Sequence, residues 1–312
     1  MASKTQATAA SAHNHPMHVR LDSSDRIIRG VTYVVITIFS LFCIIPFWMI
    51  IASSFASEQS IRMSGFTLWP KEVSLYSYEL LFRSPDQMIG AYVVTICLTA
   101  LGTLIGLFVI AMTGYALQRK DFPFRDGIMF YIYFTSLFSA GLVPFYLLIV
   151  QTLGLRDSYW AILLPLLMSP WLIVLMKNFV KAIPHEITES GKIDGAGDFK
   201  IFYALILPSM KPALATIGLF LALSYWNEWY YSSLFLTSKV EYRPLQYHLY
   251  NVINKVASLK NSIAGSNVVI EDLPGETLKM ATACVATGPI ILLYPFVQKY
   301  FVAGLTVGAV KG

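Results

Sequence analysis

The sequence predicts an all-α, polytopic membrane protein with six transmembrane helices, and three observations carry that prediction. Of 312 residues, 56% are hydrophobic. Only 13% are charged, against roughly 25% in an average soluble domain. The apolar residues gather into six runs, each near the ~20 residues that cross a bilayer as a helix.

Ahead of the first run, residues 1–25 form a polar tail rich in Ala, Ser and His, without the apolar stretch of a signal peptide. It reads as a solvated cytoplasmic tail. His13, His15 and His18 are spaced closely enough to bind a metal, but solvation is the plainer reading. Residues 26–312 then form one membrane domain.

The spans are predicted at Val31–Ser53, Tyr92–Leu117, Gly127–Val150, Tyr159–Phe179, Ala213–Leu236 and Leu278–Phe301, the third interrupted by Gly141 and Pro144. Cys43, Cys97 and Cys284 fall in separate apolar runs and read as packing residues, not as a disulfide framework or a metal cluster. The net charge of +5 comes without a clustered basic run, so no nucleic acid is expected as a partner.

Lys and Arg set the expected direction. Arg119, Lys120 and Arg125 crowd the short second-to-third loop. Lys177, Lys181, Lys192, Lys200 and Lys211 follow around the fourth-to-fifth loop, and Lys4, Arg20, Arg26 and Arg29 precede the first span. Short loops dense in Lys and Arg stay inside, which places both termini in the cytoplasm and residues 54–90 and 238–277 outside. In the second external segment Leu245, Leu249, Val252, Val256 and Leu259 recur at helical spacing. That amphipathic helix either lies on the outer surface or packs against a partner.

The loop 181–211 reads KAIPHEITESGKIDGAGDFKIFYALILPSMK. Pro184 suits a first helical turn, Glu186 and Glu189 suit the N-terminal half, and Lys192 suits the last turn. Gly195 supplies a left-handed terminator, and Asp198 an N-cap for a second helix. Phe199, Phe202, Tyr203 and Ile206 are expected as that helix's apolar stripe, closed by Pro208. Two capped short helices with an ordered apolar face are what a docking element requires.

Here the chain resembles the permease subunits of binding-protein-dependent ABC importers. These carry E-A-A, two residues, D-G-A, and later I-x-L-P in a cytoplasmic loop. This sequence has Glu189-Ser190-Gly191, Lys192-Ile193, Asp194-Gly195-Ala196 and then Leu205-Ile206-Leu207-Pro208. Ser190 and Gly191 replace the two alanines and are still small, so close approach to a partner is expected to survive. Gly191 loosens the helix by about 1 kcal/mol relative to Ala. The chain looks most like the second permease of maltose- and oligosaccharide-type carbohydrate importers. Trp226-Asn227-Glu228-Trp229 in the fifth span, Leu245-Gln246, and the ending Gly304–Gly312 carry that likeness.

The resemblance implies the type I ABC importer permease fold in the cell membrane. It implies a second homologous permease, two ATPase subunits that hold ATP and magnesium, an external solute-binding protein, and a sugar, as an oligosaccharide. Glu189, Ser190, Gly191, Asp194, Gly195, Ala196, Phe199 and Pro208 would form the coupling element on the ATPase, and Thr306–Gly312 would reach the ATPase dimer. The chain itself has no G-x-x-x-x-G-K-[ST] phosphate loop, so neither a bound cofactor nor enzymatic activity is expected of it. Gly102 and Gly106 have the small-xxx-small spacing that lets helices approach closely.

Polar residues at membrane depth are functional candidates. Trp226, Asn227 and Glu228 put an aromatic ring beside two hydrogen-bonding groups, which suits a sugar with apolar C–H faces and hydroxyls. Tyr225, Trp226, Trp229, Tyr230 and Tyr231 equally fit an interfacial aromatic belt. A proton-coupled carrier would carry carboxylates in several spans, whereas Glu228 is nearly alone. A membrane hydrolase would pair a nucleophile with a base, and no His falls in the predicted spans.

Overall fold

A backbone leaving water must pair its own N–H and C=O groups, and a helix does this within one segment. The computed structural model describes residues 23–237, 240–264 and 274–291, and its regular elements are helices. The tail to residue 22, the end of the sixth predicted span at Phe301 and the ending Thr306–Gly312 lie outside the described residues.

Contacts divide the chain into residues 1–49 and 50–312. The first unit holds most of α1 (Ser23–Ser54), a helix long and apolar enough to cross a bilayer, with Pro46 inside it. In the second unit, α2 (Glu58–Ser64) and α3 (Tyr76–Leu81) flank a single antiparallel bridge, Ala56–Val73. Next comes α4 (Pro85–Gln118), which starts at Pro85 rather than at the predicted Tyr92. Proline is suited to a first turn, where its missing N–H leaves no bond unmade.

Three bends follow, two inside predicted spans and one where the loop 181–211 enters the fifth. α5 (Arg125–Leu137) meets α6 (Leu142–Leu147) and a π turn (Leu148–Thr152) at 115°. The break ends on Gly141, whose φ of 88° favours glycine. α7 (Trp160–Leu166) and α8 (Pro170–Lys181) meet at 45°, ahead of a proline that cannot donate back into α7. After α9 (Glu186–Ile193), the chain runs through α10 (Asp198–Ile201), a π segment (Phe202–Ile206) and α11 (Leu207–Ser209). It then turns by 85° into α12 (Lys211–Trp226) and α13 (Tyr230–Phe235). Among the described residues, α14 (Leu245–Ala264) and α15 (276–291) follow.

α4 is the packing axis. Its Ile110, Ala111 and Tyr115 are buried with Ile173 and Met176 of α8 and Ile217 and Leu221 of α12. Glycine permits the approach. A Cβ at Gly102 would lie 2.3 Å from the Tyr225 ring, and one at Gly114 would lie 2.7 Å from Met176. The amphipathic α14 spends its apolar face on its own chain. Leu245, Leu249 and Val256 are buried with Met88, Leu278 and Ala281, and only the far end of the stripe, Leu259, stays exposed.

Candidate functional site

The loop between α8 and α12 is a pair of short helices joined by a glycine turn. Helix α9 starts at Glu186, with His185 rather than Pro184 at its boundary. It ends in a Schellman turn. Gly195, at φ 73°, donates to the Lys192 carbonyl at 3.0 Å, and Ala196 donates to the Gly191 carbonyl at 2.9 Å. A Cβ at Gly195 would meet no atom within 4 Å, so its requirement is conformational. Gly191 is the opposite case. It is buried, and a Cβ there would lie 2.9 Å from Leu205 and 3.0 Å from Ile201. Its smallness serves packing within this loop, which corrects the expectation that it faces a partner.

The second helix departs from its predicted capping. Gly197 occupies the N-cap and Asp198 is the first helical residue. The Asp198 carboxylate is instead 2.5 Å from Arg119. Pro208 does not close the helix. Lacking an N–H, it would leave the carbonyl four residues back unpaired and crowded. The preceding turn widens into the π segment, with Leu207 N–H donating to the Phe202 carbonyl, and the helix runs on to Ser209. The predicted apolar stripe splits in two. Phe202 and Ile206 are buried, whereas Phe199 and Tyr203 are 64% and 62% exposed, beside Ile193 at 86%. Ile193 was not singled out from sequence, although it is an apolar residue in an otherwise polar turn. Glu189, Ser190, Asp194 and Gly195 are exposed on the same loop, and Ala196 is half-buried.

Four charges brace the turn against the end of α4. Arg119 donates from Nε and Nη2 to Asp121 at 2.8 and 2.6 Å. Asp121 also accepts from Lys192 Nζ at 2.9 Å. Hydrogen bonds from Arg119, and then from Lys192, hold the Asp121 carboxyl well below the usual carboxylate range. Sequence reasoning used Arg119 only as a charge setting direction, used Lys192 for direction and for the last helical turn, and missed Asp121; the R-x-D at the end of a long helix was the available signal.

The Trp226-Asn227-Glu228-Trp229 run breaks the fifth span between α12 and α13. The buried Glu228 carboxylate accepts from the N–H of Tyr231 at 2.5 Å, the N–H of Ser232 at 3.2 Å and the Ser232 hydroxyl at 2.6 Å. It therefore satisfies the first N–H groups of α13, which a helix start leaves without partners. Trp226 is buried, and its indole N–H donates to the Ala286 carbonyl at 3.0 Å, tying α12 to α15. Asn227 alone of the three is exposed, with Gln246 Nε2 3.5 Å from its Oδ1. Trp229, 42% exposed, packs its ring 4.9 Å from Tyr250 of α14. The structure thus brings Leu245-Gln246 beside the Trp-Asn-Glu-Trp run. Burial of Tyr225 and Trp226 keeps those two out of any interfacial belt.

The chain has relatives among known proteins. A family model described as binding-protein-dependent transport system inner membrane component matches residues 102–307. The chain is 37% identical to the polygalacturonan/rhamnogalacturonan transport system permease protein YtcP of Bacillus subtilis, over 92% of this chain and 99% of that protein. Protein LplC of Bacillus subtilis is 35% identical over 86% of this chain and 90% of its own. Among solved structures, a chain in the crystal structure of a bacterial ABC transporter involved in the import of the acidic polysaccharide alginate superposes with a TM-score of 0.73. It is 30% identical, with 90% of this chain and 98% of that chain covered.

Proposed function

This chain belongs to the family of binding-protein-dependent transport system inner membrane components, and from that premise we propose that it carries an oligosaccharide and docks on an ATPase subunit through residues 186–209. It is a permease subunit of a carbohydrate ABC importer, not an enzyme. The oligosaccharide reading draws on the relatives, one a permease for polygalacturonan and rhamnogalacturonan and another part of an alginate importer. Its partners are then a second permease, two ATPase subunits that bind ATP and magnesium, and an external solute-binding protein. Both termini lie in the cytoplasm, with the docking loop.

The observation that carries the docking role is the rigid turn at Gly195, with Ile193, Phe199 and Tyr203 exposed around it. Apolar side chains held outward on a braced loop, with Glu189, Ser190 and Asp194 beside them, fit a groove on a protein partner. Asn227, with Trp229 and Gln246 next to it, faces the sugar path, while Trp226 and Glu228 hold the break that presents it. The experiment is Gly195→Asp in the complete importer. A non-glycine residue at this φ costs about 1–2 kcal/mol. The variant should reach the membrane, lose ATPase co-purification and lose uptake. Normal uptake would refute the docking role.

A further inference from the structure

We propose that Arg119 and Asp121 are positioning residues for transport, an ionic strut that makes the docking loop move together with α4. The inference rests on the docking reading and adds how force leaves the loop.

The loop is covalently continuous with two spans. α8 leads into α9 through residues 182–185, and α11 leads into α12 through Met210. α4 is reached only across space, by two kinds of contact. One is apolar: Phe202 lies 5.5 Å from the Tyr115 ring and 6.0 Å from Phe108. Such a contact resists separation but has little directional preference, so it permits sliding. The other is ionic and directional. Arg119 immediately follows α4, grips Asp121 with two N–H groups, and reaches Asp198 at the start of α10. Asp121 reaches Lys192 in the last turn of α9. The network therefore holds the chain on both sides of the Gly195 turn, and forked Arg–carboxylate pairing fixes orientation as well as distance.

The side chains of Asp121 and Lys192 are about half exposed, at 48% and 46%. Pairs so open to water add little to fold stability, yet these stand between the loop and α4, beside the apolar contact of Phe202 with Tyr115. From α4 the displacement passes on by close packing. A Cβ at Gly106 would lie 3.0 Å from the Leu167 carbonyl and one at Gly114 would lie 2.7 Å from Met176, so α4 cannot shift without its neighbours.

The test is the complete importer reconstituted in vesicles, with uptake and ATP hydrolysis measured on the same preparation. Asp121→Asn should retain the ATPase subunit and near wild-type hydrolysis, while uptake falls about fivefold or more. Arg119→Lys, which keeps the charge but loses the fork, should fall between. Adding Lys192→Gln to Asp121→Asn should leave the ratio of uptake to hydrolysis where Asp121→Asn put it, because both cut the same link. Arg119→Lys alone, outside the docking loop, carries the same test if Asp121→Asn does not accumulate. Uptake and hydrolysis falling in proportion, or both unchanged, would overturn the strut. Loss of the ATPase subunit from Asp121→Asn would also overturn it, since the network would then belong to the dock. Failure of the docking reading is separate, because it shows as normal uptake in Gly195→Asp.

Discussion

The Glu58 carboxylate accepts two hydrogen bonds from Thr277, one from its backbone N–H and one from its hydroxyl, each at 3.1 Å across 219 positions of sequence. The Glu276 N–H and Lys260 Nζ, both at 3.0 Å, and Arg62 Nε at 3.6 Å are further partners. One buried carboxylate thereby joins α2, α14 and the start of α15, and it caps α15 from a remote part of the chain. Gly275 leaves the room, since a Cβ there would lie 2.2 Å from Lys260 Nζ.

Burial alone would raise the Glu58 carboxyl, but N–H groups of the 275–277 turn and Lys260 outweigh it and hold the pKa at about 2, below the ordinary 4.5. Its contribution to stability is therefore complete above pH 4.5 and is lost as pH falls toward about 2. Glu58→Gln should lower the melting temperature of the purified protein at neutral pH and flatten the acid-side loss in that window. Wild-type and variant melting curves that stay parallel through it would contradict this.

Gly191→Ala and Gly191→Leu should separate helix propensity from packing. Alanine adds about 1 kcal/mol of helix preference, and its close contact at 2.9 Å is with the flexible end of Leu205. The variant should stay within about 1 kcal/mol of wild type. Leucine overfills the α9–α10 contact and should cost about 1–3 kcal/mol. Limited proteolysis of the loop reads the difference, and equal protection of both variants would count against this packing.

In the fifth span, Asn227→Ala should leave membrane abundance unchanged and lower uptake several-fold, as expected for the loss of one hydrogen bond of about 0.5–1.5 kcal/mol. Trp226→Ala should instead reduce abundance, because it empties a buried site at a cost of about 3–5 kcal/mol. Immunoblots of membranes beside uptake rates distinguish them. Wild-type uptake by Asn227→Ala would remove it from the sugar path.

Orientation is open to cysteine labelling after Cys43, Cys97 and Cys284 are replaced. Ser262→Cys at the end of α14 should react with an impermeant maleimide in intact cells, and Lys200→Cys in the docking loop only after lysis. Reaction of Lys200→Cys in intact cells would invert the topology.

Sequence by itself determined what depends on near neighbours. Apolar run lengths gave the candidate spans, because crossing a bilayer is a matter of consecutive residues. Gly195 marked the end of α9, because a left-handed residue is a local requirement. The break near Gly141 was legible for the same reason.

Only the tertiary structure decided which side of each element is used. Phe199 and Phe202 look alike in the sequence, yet one is exposed and the other buried, because α4 covers a single face of that helix. Trp226 and Asn227 are adjacent but separate into a packing residue and an exposed one where α12 ends. Partners far along the chain were equally hidden. Nothing local to Asp121 indicates Lys192, 71 positions on, and nothing local to Glu58 indicates Thr277. A charge or a buried N–H can be satisfied by any complementary group within a few ångströms, so the choice among them is made by how the helices pack.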